Sequence, residues 1–260
     1  MTAQDFLCKA VLLDQNRRRL NMPRRNVIVS TVTCFIVLIA AHSAWAQERG
    51  QAGQRGAAPR VTRAPLFFRE EWKQTPAGGE HPVDIPTALS NPNLELKLIG
   101  PTGKEILMTG SATDENNPIH LWTGMCTTPC GFTFRDKNNM GDLTGLARIK
   151  MVTKVSGYHQ VRPIVKLADG TMLVANRAEG STVDWLESDI AVSELRWRKL
   201  DPARLVTVGD WVEKPDLSRV DEIGFADLMP GSGHGQGGWS DVARVEVHAK
   251  SVKRESATNQ

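Results

Sequence analysis

The residues with the clearest chemical potential surround one glycine-rich loop near the end of the chain. Five glycines fall between Gly231 and Gly238, with His234 inside the loop, Asp227 before it and Trp239 directly after it. The loop contains G-H-G-Q-G-G, which matches the G-x-G-x-x-G pattern of dinucleotide-binding loops. That pattern binds a phosphate only where the loop leads into a helix, because the helix N-terminus holds the anion.

The residues after the loop argue against a nucleotide ligand. From residue 244 to residue 249, charged and apolar side chains alternate, as they do in a half-buried strand. The loop also lacks the Lys-Ser or Lys-Thr pair of a phosphate-binding loop. The sequence therefore predicts no nucleotide binding. We interpret the loop as a flexible connection between two strands, able to pass close to another backbone or a ligand.

Asp227 is a candidate ligand-binding residue at the end of the strand before the loop. It has the same strand parity as Ile223 and Phe225, which places it at the rim of the buried face if those two point inward. A carboxylate in that position needs a partner, and Arg162 or His234 is expected to provide it. The alternative is that Asp227 is a structural cap for the loop.

Tryptophans are the second group of candidates, since sugars stack on exposed aromatic rings. Six of the seven tryptophans lie after residue 46, and most tryptophans of a β-sandwich are buried. Trp197 shares a strand face with Leu195, so we expect it in the core. Trp239 ends the glycine loop and Trp122 precedes a cysteine turn. These two and Trp211 are the predicted ligand-binding tryptophans.

Catalytic residues are not indicated by any motif. A glycosidase needs two carboxylates at a fixed separation across the sugar. The available carboxylates are Asp184, Glu187, Asp189, Asp221, Glu222 and Asp227, and no motif pairs any two of them. The serine nucleophile motif G-x-S-x-G is missing as well. The sequence thus favours binding over catalysis, with an enzyme using Asp227 and His234 as the alternative.

Hydrophobic periodicity predicts an all-β fold. Most apolar runs have period two, convincing amphipathic helices are missing, and Gly and Pro interrupt the runs at short intervals. Strands are predicted at 66–72, 94–98, 145–155, 159–167, 172–176, 185–192, 194–200, 220–227 and 241–249. This pattern is typical of an antiparallel β-sandwich, here a jelly roll forming one domain.

Local signals refine this prediction. The Asp-Gly pair at residues 169–170 indicates a tight hairpin turn. Pro163 interrupts its run and suggests an edge strand or a bulge. Residues 75–93 and 109–117 have no clear period and are predicted to be long surface loops.

The N-terminal residues have the order of a secretory signal peptide. Residues 23–46 contain two arginines, an apolar run and the small-x-small site A-W-A that ends at Ala46. Met22 stands directly before them, so we expect translation to start there, with residues 1–21 as an upstream extension. The apolar run has about 15 residues, whereas a membrane span needs about 20. We expect cleavage after Ala46 and no membrane span in the mature chain, with a retained anchor as the alternative.

Three further segments follow the predicted cleavage site. Residues 47–63 contain almost no large apolar side chains and are predicted to be a flexible linker. Residues 64–249 are the predicted sandwich domain, and 250–260 a polar tail. The signal peptide implies a periplasmic or extracellular location.

The charge balance excludes nucleic acid as an expected partner. Residues 1–46 hold six of the 32 Lys and Arg residues and two of the 29 acidic residues. The remaining chain therefore has 26 basic and 27 acidic residues, a net charge of −1. Binding to nucleic acid would need a basic face. No feature of the sequence defines an oligomeric state.

Two of the four cysteines, Cys126 and Cys130, follow the signal segment in the sequence C-T-T-P-C. An even number in an exported protein favours a disulfide. Its small loop gives only about 2 kcal/mol in the chain-entropy model, so it would staple a local turn. A metal site with His120 as a third ligand is the alternative, but it has too few ligands for a closed zinc site.

Part of the chain resembles the galactose-binding-like jelly roll of many carbohydrate-binding modules. The matching stretch, about 142–249, begins with D-L-T-G-L-A-R-I-K-M-V-T-K and has Trp185 where such modules often carry a tryptophan before a strand. Residues 217–225 resemble the penultimate strand of that fold, and 240–247 resemble its closing strand. In addition, P-L-F-F-R-E-E-W, V-D-E-I-G-F-A-D-L-M-P-G and G-H-G resemble a set of exported proteins of environmental bacteria.

The resemblance implies a sugar ligand on a sheet face or at the loop tips. It also implies a calcium ion near the first and last strands, where Asp241, Glu70 and Glu71 would supply carboxylate oxygens. No other cofactor is expected. The predicted function is an exported, non-catalytic carbohydrate-binding protein. The alternatives are an enzyme that acts on glycosides or polysaccharides, and an envelope structural or interaction protein without a small ligand.

Overall fold

The computed structural model describes residues 63–74, 79–235 and 237–255, which lie in one compact unit. The predicted upstream extension and signal segment (1–46) lie outside the described residues, as does nearly all of the predicted linker (47–63). Within the described ranges, no helix has the length and apolar character needed to cross a membrane.

The described strands form two sheets. The smaller sheet contains β1 (Leu66–Glu70), β2 (His81–Pro82), β4 (Leu107–Thr109), β5 (His120–Trp122), β8 (Arg148–Val155), β11 (Leu186–Ala191) and β15 (Ser240–His248). The larger sheet contains β3 (Leu94–Ile99), β6 (Cys130–Asp136), β7 (Asn139–Asp142), β9 (Val161–Leu167), β10 (Met172–Ala175), β12 (Trp197–Asp201), β13 (Val206–Val212), β14 (Val220–Asp227) and β16 (Lys250–Lys253). The helical elements are the short helix α1 (Ile85–Ala88) and two 3-10 turns (Gly103–Glu105 and Val192–Glu194).

The topology confirms the predicted antiparallel β-sandwich of jelly-roll type. The smaller sheet runs β11-β8-β15-β5-β4-β2, with β1 also paired to β15. The larger sheet runs β13-β12-β10-β9-β14-β6-β3, and β7 joins β14 to β16. The chain crosses repeatedly between the sheets, for example from β8 to β9 and from β10 to β11. The predicted hairpin at residues 169–170 joins β9 to β10.

The core lies between the sheets and follows the period-two pattern of the sequence. In β8, Ile149, Met151, Thr153 and Val155 are buried, while the residues that alternate with them are partly exposed. Trp197 is 1% exposed, which confirms its predicted place in the core. Burial of each such large apolar side chain contributes about 1.5–3 kcal/mol to stability.

Strand β9 differs from the prediction that Pro163 marks an edge or a bulge. This strand is interior, between β14 and β10. Its pairing with β10 stops at Ile164, opposite Val174, and does not include the preceding Pro163, which has no N–H to donate. A guanidinium nitrogen of Arg162 lies 3.4 Å from the carbonyl oxygen of Ala175 and donates a hydrogen bond to it. A side chain therefore supplies a donor where the backbone has none.

The C-terminal end of the domain was predicted one strand too early. Residues 250–253, placed in the predicted tail (250–260), form β16 and pair with β7 along its whole length. Arg254 then donates to the carbonyl oxygen of Asp136 at 2.8 Å and forms an ion pair with Asp221. A polar sequence is compatible with this strand because β16 lies at a sheet edge and is largely exposed.

A second, smaller apolar cluster lies on the outer face of the larger sheet, the face turned away from the smaller sheet. Its buried members are Ile164, Met172, Val174, Leu200, Leu205 and Ala226. Leu205 lies in the turn between β12 and β13 with φ of 51°, and its N–H donates to the carbonyl oxygen of Asp201 at 2.8 Å. Because Leu205 packs onto this face, the β12–β13 hairpin is held beside it.

Candidate functional site

An open cavity of about 530 Å³ lies on the outer face of the larger sheet. One wall is the β12–β13 hairpin, and the rest comes from β9, β10 and the end of β14. The lining residues are Gln160, Arg162, Val174, Ala175, Asn176, Arg198, Thr207, Trp211, Leu228 and Met229. We call this space the hairpin cavity. Two of the predicted ligand-binding residues, Trp211 and Arg162, lie in it.

Trp211 is the exposed aromatic side chain of the hairpin cavity. It is 40% exposed and lies directly opposite Arg198 in the register of β12 and β13. The guanidinium carbons of Arg196 and Arg198 lie 4.6 Å and 5.5 Å from the indole centroid, within cation–π distance. These contacts hold the ring at the cavity wall without removing it from solvent.

Arg162 is oriented within the same cavity by fixed hydrogen bonds. One of its terminal nitrogens donates to the carbonyl oxygen of Asn176 at 3.1 Å, and the other donates to Oε1 of Gln160 at 2.7 Å. The amide oxygen of Asn176 accepts the N–H of Arg196 at 2.8 Å. The cavity therefore presents held guanidinium and amide groups beside an indole ring.

The other predicted tryptophans lie on the smaller sheet rather than in the hairpin cavity. Trp122 and Trp239 have ring centroids 6.3 Å apart, and the ring of His234 lies 4.9 Å from that of Trp122. Trp122 is only 6% exposed, which corrects its prediction as an open stacking surface. The reason is the turn at Gly124, where a Cβ atom would lie 2.1 Å from the Trp122 ring. The exposed His234 has Nε2 3.0 Å from a carboxylate oxygen of Glu80.

Asp227 is buried at the end of β14, and its predicted partners were wrong. Neither Arg162 nor His234 pairs with it. Its Oδ2 lies 2.6 Å from Nδ1 of His159, a side chain that is itself 2% exposed. No sequence signal links His159 to Asp227, because 68 residues separate them.

The same carboxylate binds three further donors. Oδ2 accepts the hydroxyl of Ser240 at 2.7 Å and that of Thr123 at 3.3 Å, while Oδ1 accepts the backbone N–H of Met229 at 3.1 Å. The serine bonds to the carboxylate and not to the histidine, so this is not a nucleophile–base arrangement. The network connects the end of β14 and the start of β15 to the Thr123 turn, and it has the geometry of a structural cap.

The glycine loop passes close to a second backbone, as the sequence predicted. The N–H of Gly231 donates to the carbonyl oxygen of Cys126 at 2.7 Å, and a Cβ atom at Gly231 would lie 2.1 Å from the oxygen of Gly124. Only glycine fits such an approach. The predicted disulfide between Cys126 and Cys130 is formed in the turn that the loop contacts.

The three predicted calcium ligands do not share one site. Glu70 is fully buried and its oxygens accept hydrogen bonds from Trp72, Ser90 and Asn91. Glu71, by contrast, is exposed and pairs with arginines. Asp241 is buried elsewhere, beside His120. Across the described ranges, no group of three or more His, Cys, Asp or Glu side chains is arranged to hold a metal ion.

Asp241 and His120 form a buried titratable pair in the smaller sheet. Oδ1 of Asp241 lies 3.6 Å from Nε2 of His120 and has no hydrogen-bond partner. Burial raises the pKa of Asp241 from 3.8 to about 7, against the opposing effects of Lys154 and Trp239. Burial also lowers the pKa of His120. In both cases the neutral form is favoured, because removal from water penalises charge.

The raised pKa of Asp241 predicts a pH-dependent stability. Between about pH 4 and pH 7 the folded protein keeps a proton that the unfolded chain releases, so this group makes unfolding easier as pH rises. In Asp241→Asn this contribution is absent. We expect the free energy of unfolding of the variant, relative to the parent, to increase by about 3 kcal/mol from pH 4.5 to pH 8.

Urea unfolding at both pH values measures this difference. His120, whose pKa burial lowers in both proteins, contributes the opposite slope below its unfolded pKa, so the comparison of variant with parent reports mainly on Asp241. Asp210→Asn, at an exposed position, is the matched control. A relative free energy of Asp241→Asn that stays constant with pH would contradict the prediction.

A second cavity, of about 490 Å³, lies beside Trp185. The half-buried Trp185 donates from Nε1 to the carbonyl oxygen of Asn116 at 3.1 Å. Of the three carboxylates that line this cavity, Glu71 forms ion pairs with Arg69 and Arg244.

Four of the carboxylates considered as catalytic candidates are also held in ion pairs. The pairs are Glu187 with Arg244, Asp189 with Arg148, Asp221 with Arg254 and Glu222 with Lys166. These contacts fix the carboxylates at structural positions within the sheets.

Comparison with known proteins gives distant structural likenesses. The chain matches no protein-family model and no curated protein sequence. A family 11 carbohydrate-binding module of a cellulosomal cellulase of Clostridium thermocellum is similar at 14% identity and a TM-score of 0.36, over 70% of this chain and 99% of that one. An exo-beta-agarase is similar at 11% identity and 0.33, over 63% and 24%. Arcelin-5, a lectin-like defense protein from Phaseolus vulgaris, is similar at 10% identity and 0.30, over 67% and 100%. The fold assignment rests on the strands and pairings themselves.

Proposed function

We propose that this chain is an exported, non-catalytic carbohydrate-binding protein and that the hairpin cavity is its binding site. The observation that carries the proposal is Trp211, an indole held by two guanidinium groups yet 40% exposed at the wall of a cavity. Sugar rings have an apolar C–H face that packs against an aromatic ring. A tryptophan kept exposed in this way is a suitable platform.

The polar lining supports the same ligand class. Gln160, Arg162, Asn176 and Thr207 surround the cavity and carry amide, guanidinium and hydroxyl groups. Such groups make directional hydrogen bonds to sugar hydroxyls, while the apolar floor excludes water. A cavity with one aromatic wall and several fixed polar groups therefore suits a sugar ring, which has an apolar face and polar hydroxyl groups.

A binding role without catalysis is supported by the charges around the cavity. No carboxylate is among its lining residues, whereas glycoside hydrolysis needs a pair of them. The buried Asp227 is occupied by His159 and three other donors. The ligand is therefore held and not cleaved.

Export to the periplasm or the cell exterior is part of the proposal. The disulfide between Cys126 and Cys130 supports it, because such bonds persist in oxidising compartments. The signal-peptide pattern of residues 23–46 points the same way. Mass spectrometry of the secreted chain would test this by showing whether it begins after Ala46.

Replacement of Trp211 tests the binding site. On a glycan array followed by calorimetry with the best polysaccharide, we expect Trp211→Ala to bind at least tenfold more weakly, a loss of about 1.4 kcal/mol or more. The loss follows from removal of the stacking surface. The fold is expected to be intact because the side chain lies outside the core.

Tyr158→Ala is the matched control, since Tyr158 is an aromatic residue at 87% exposure that is not among the residues lining the cavity. Its affinity should equal that of the parent. Retention of no glycan, or equal binding by Trp211→Ala, would refute the site. New reducing ends in the incubated polysaccharide would instead favour the glycosidase alternative.

A further inference from the structure

The arginines of this protein divide into two groups according to their partners. Twelve arginines lie in the described ranges. Nine form ion pairs with a carboxylate: Arg63, Arg69, Arg135, Arg148, Arg177, Arg204, Arg219, Arg244 and Arg254. The other three, Arg162, Arg196 and Arg198, all lie at the hairpin cavity.

These three side chains are held by neutral groups. Arg162 donates to backbone and amide oxygens, Arg198 donates to the carbonyl oxygen of Gly209, and Arg196 lies over the ring of Trp211. Nε of Arg198 is buried with no hydrogen-bond partner. Their positive charges therefore stay uncompensated within the described part of the chain.

Three positive charges close together repel one another, and no carboxylate lines the cavity to offset them. Every other arginine in the described part of the chain forms an ion pair with a carboxylate. Planar guanidinium groups match carboxylates and sulfates by paired hydrogen bonds, which are about twice as strong as neutral ones. An anion bound in the cavity would supply the missing partner.

We propose that the hairpin cavity is selective for an anionic glycan, one whose sugar rings carry carboxylate or sulfate groups. The proposal rests on the proposed function and defines its ligand class. Trp211 packs against the sugar ring while Arg198 and Arg196 face its anionic group. Neutral polysaccharides bind more weakly because they leave the arginines without a counter-charge.

Matched pairs of polysaccharides separate charge from ring shape. Polygalacturonate is compared with its fully methyl-esterified form, and dextran sulfate with dextran, by calorimetry at 50 mM and 500 mM NaCl. We expect at least tenfold tighter binding of one charged member than of its neutral counterpart. The first pair reports on carboxylate and the second on sulfate. The preference should shrink at high salt because salt screens the attraction.

Arginine variants locate the charge recognition. We expect Arg198→Gln and Arg196→Gln each to lower affinity for the charged glycan about tenfold and to leave affinity for the neutral one within twofold. Arg196 is exposed, so its variant is expected to fold even if Arg198→Gln does not. Arg204→Gln is the matched control, because Arg204 lies in the turn of the same hairpin but is paired with Asp201.

The outcomes distinguish this proposal from the one it rests on. Equal or tighter binding of the neutral members, lost in Trp211→Ala, would overturn anion selectivity and leave carbohydrate binding in place. Binding of no glycan at all would overturn both proposals. An equal loss in Arg204→Gln would show general attraction of a polyanion to a basic surface and would also overturn the selective site.

Discussion

Asp227→Ala is expected to destabilise the protein by about 3–5 kcal/mol, because it removes a buried carboxylate from a charge-assisted network. The change leaves His159 buried without its partner and the hydroxyl of Ser240 without its acceptor, while the hydroxyl of Thr123 keeps only the carbonyl oxygen of Ser240 as an acceptor. The expected measurement is a large fall in the urea midpoint with an unchanged m-value. Loss of the network also frees the glycine loop, so faster hydrogen exchange should be confined first to the Thr123 turn and the start of β15.

A double-mutant cycle tests whether the pair acts as a unit. We expect Asp227→Ala and His159→Ala to be non-additive by 1 kcal/mol or more, about the range seen for contacting residues of one network. Asp216→Ala, at an exposed turn position, is the control and should cost much less than Asp227→Ala. A cost for Asp227→Ala no larger than that of the control would show that the carboxylate is not structural.

Period-two alternation was sufficient to predict the sandwich, because a strand with one buried face has apolar and polar residues at alternate positions of its sequence. In β8 every second residue is buried, as a period of two predicts. Shorter strands carry too few residues for a period, so β4 and β5, with three residues each, were not predicted. The strand β6 has five consecutive buried residues and does not alternate between exposed and buried positions.

The site was less predictable because its contacts are non-local. Trp211 was a candidate by residue type, but its partners depend on how the β12–β13 hairpin packs on the sheet. The sequence R-W-R at residues 196–198 does place two arginines on one strand face, opposite the buried Trp197. The sequence alone therefore indicates that the two arginines lie together. It does not indicate that they lack a neighbouring carboxylate, because that depends on how distant strands pair.

Glu70 is a second residue whose role depends on non-local contacts and was therefore not predicted from the sequence. Its carboxylate was predicted to bind calcium, whereas the structure uses it to join the end of β1 to the turn before β3. Oε1 accepts the backbone N–H groups of Trp72 and Ser90 at 2.8 Å and 2.7 Å, and Oε2 accepts that of Asn91 at 3.0 Å. Trp72 has a φ of 59°, which is unfavourable for a bulky residue, so its bond to Glu70 holds a strained position.

Glu70→Ala is therefore expected to lower the free energy of unfolding by about 3–5 kcal/mol, since three backbone donors and a serine hydroxyl lose their acceptor in a buried site. Glu71→Ala is the matched control at the next residue. Its carboxylate is exposed and pairs only with arginines at the surface, so it should cost less than about 1 kcal/mol. Urea unfolding of both variants, with and without millimolar calcium, measures the difference. Equal costs for the two variants would contradict the structural role. A stabilisation of the parent by calcium that Glu70→Ala abolishes would restore the metal-binding interpretation.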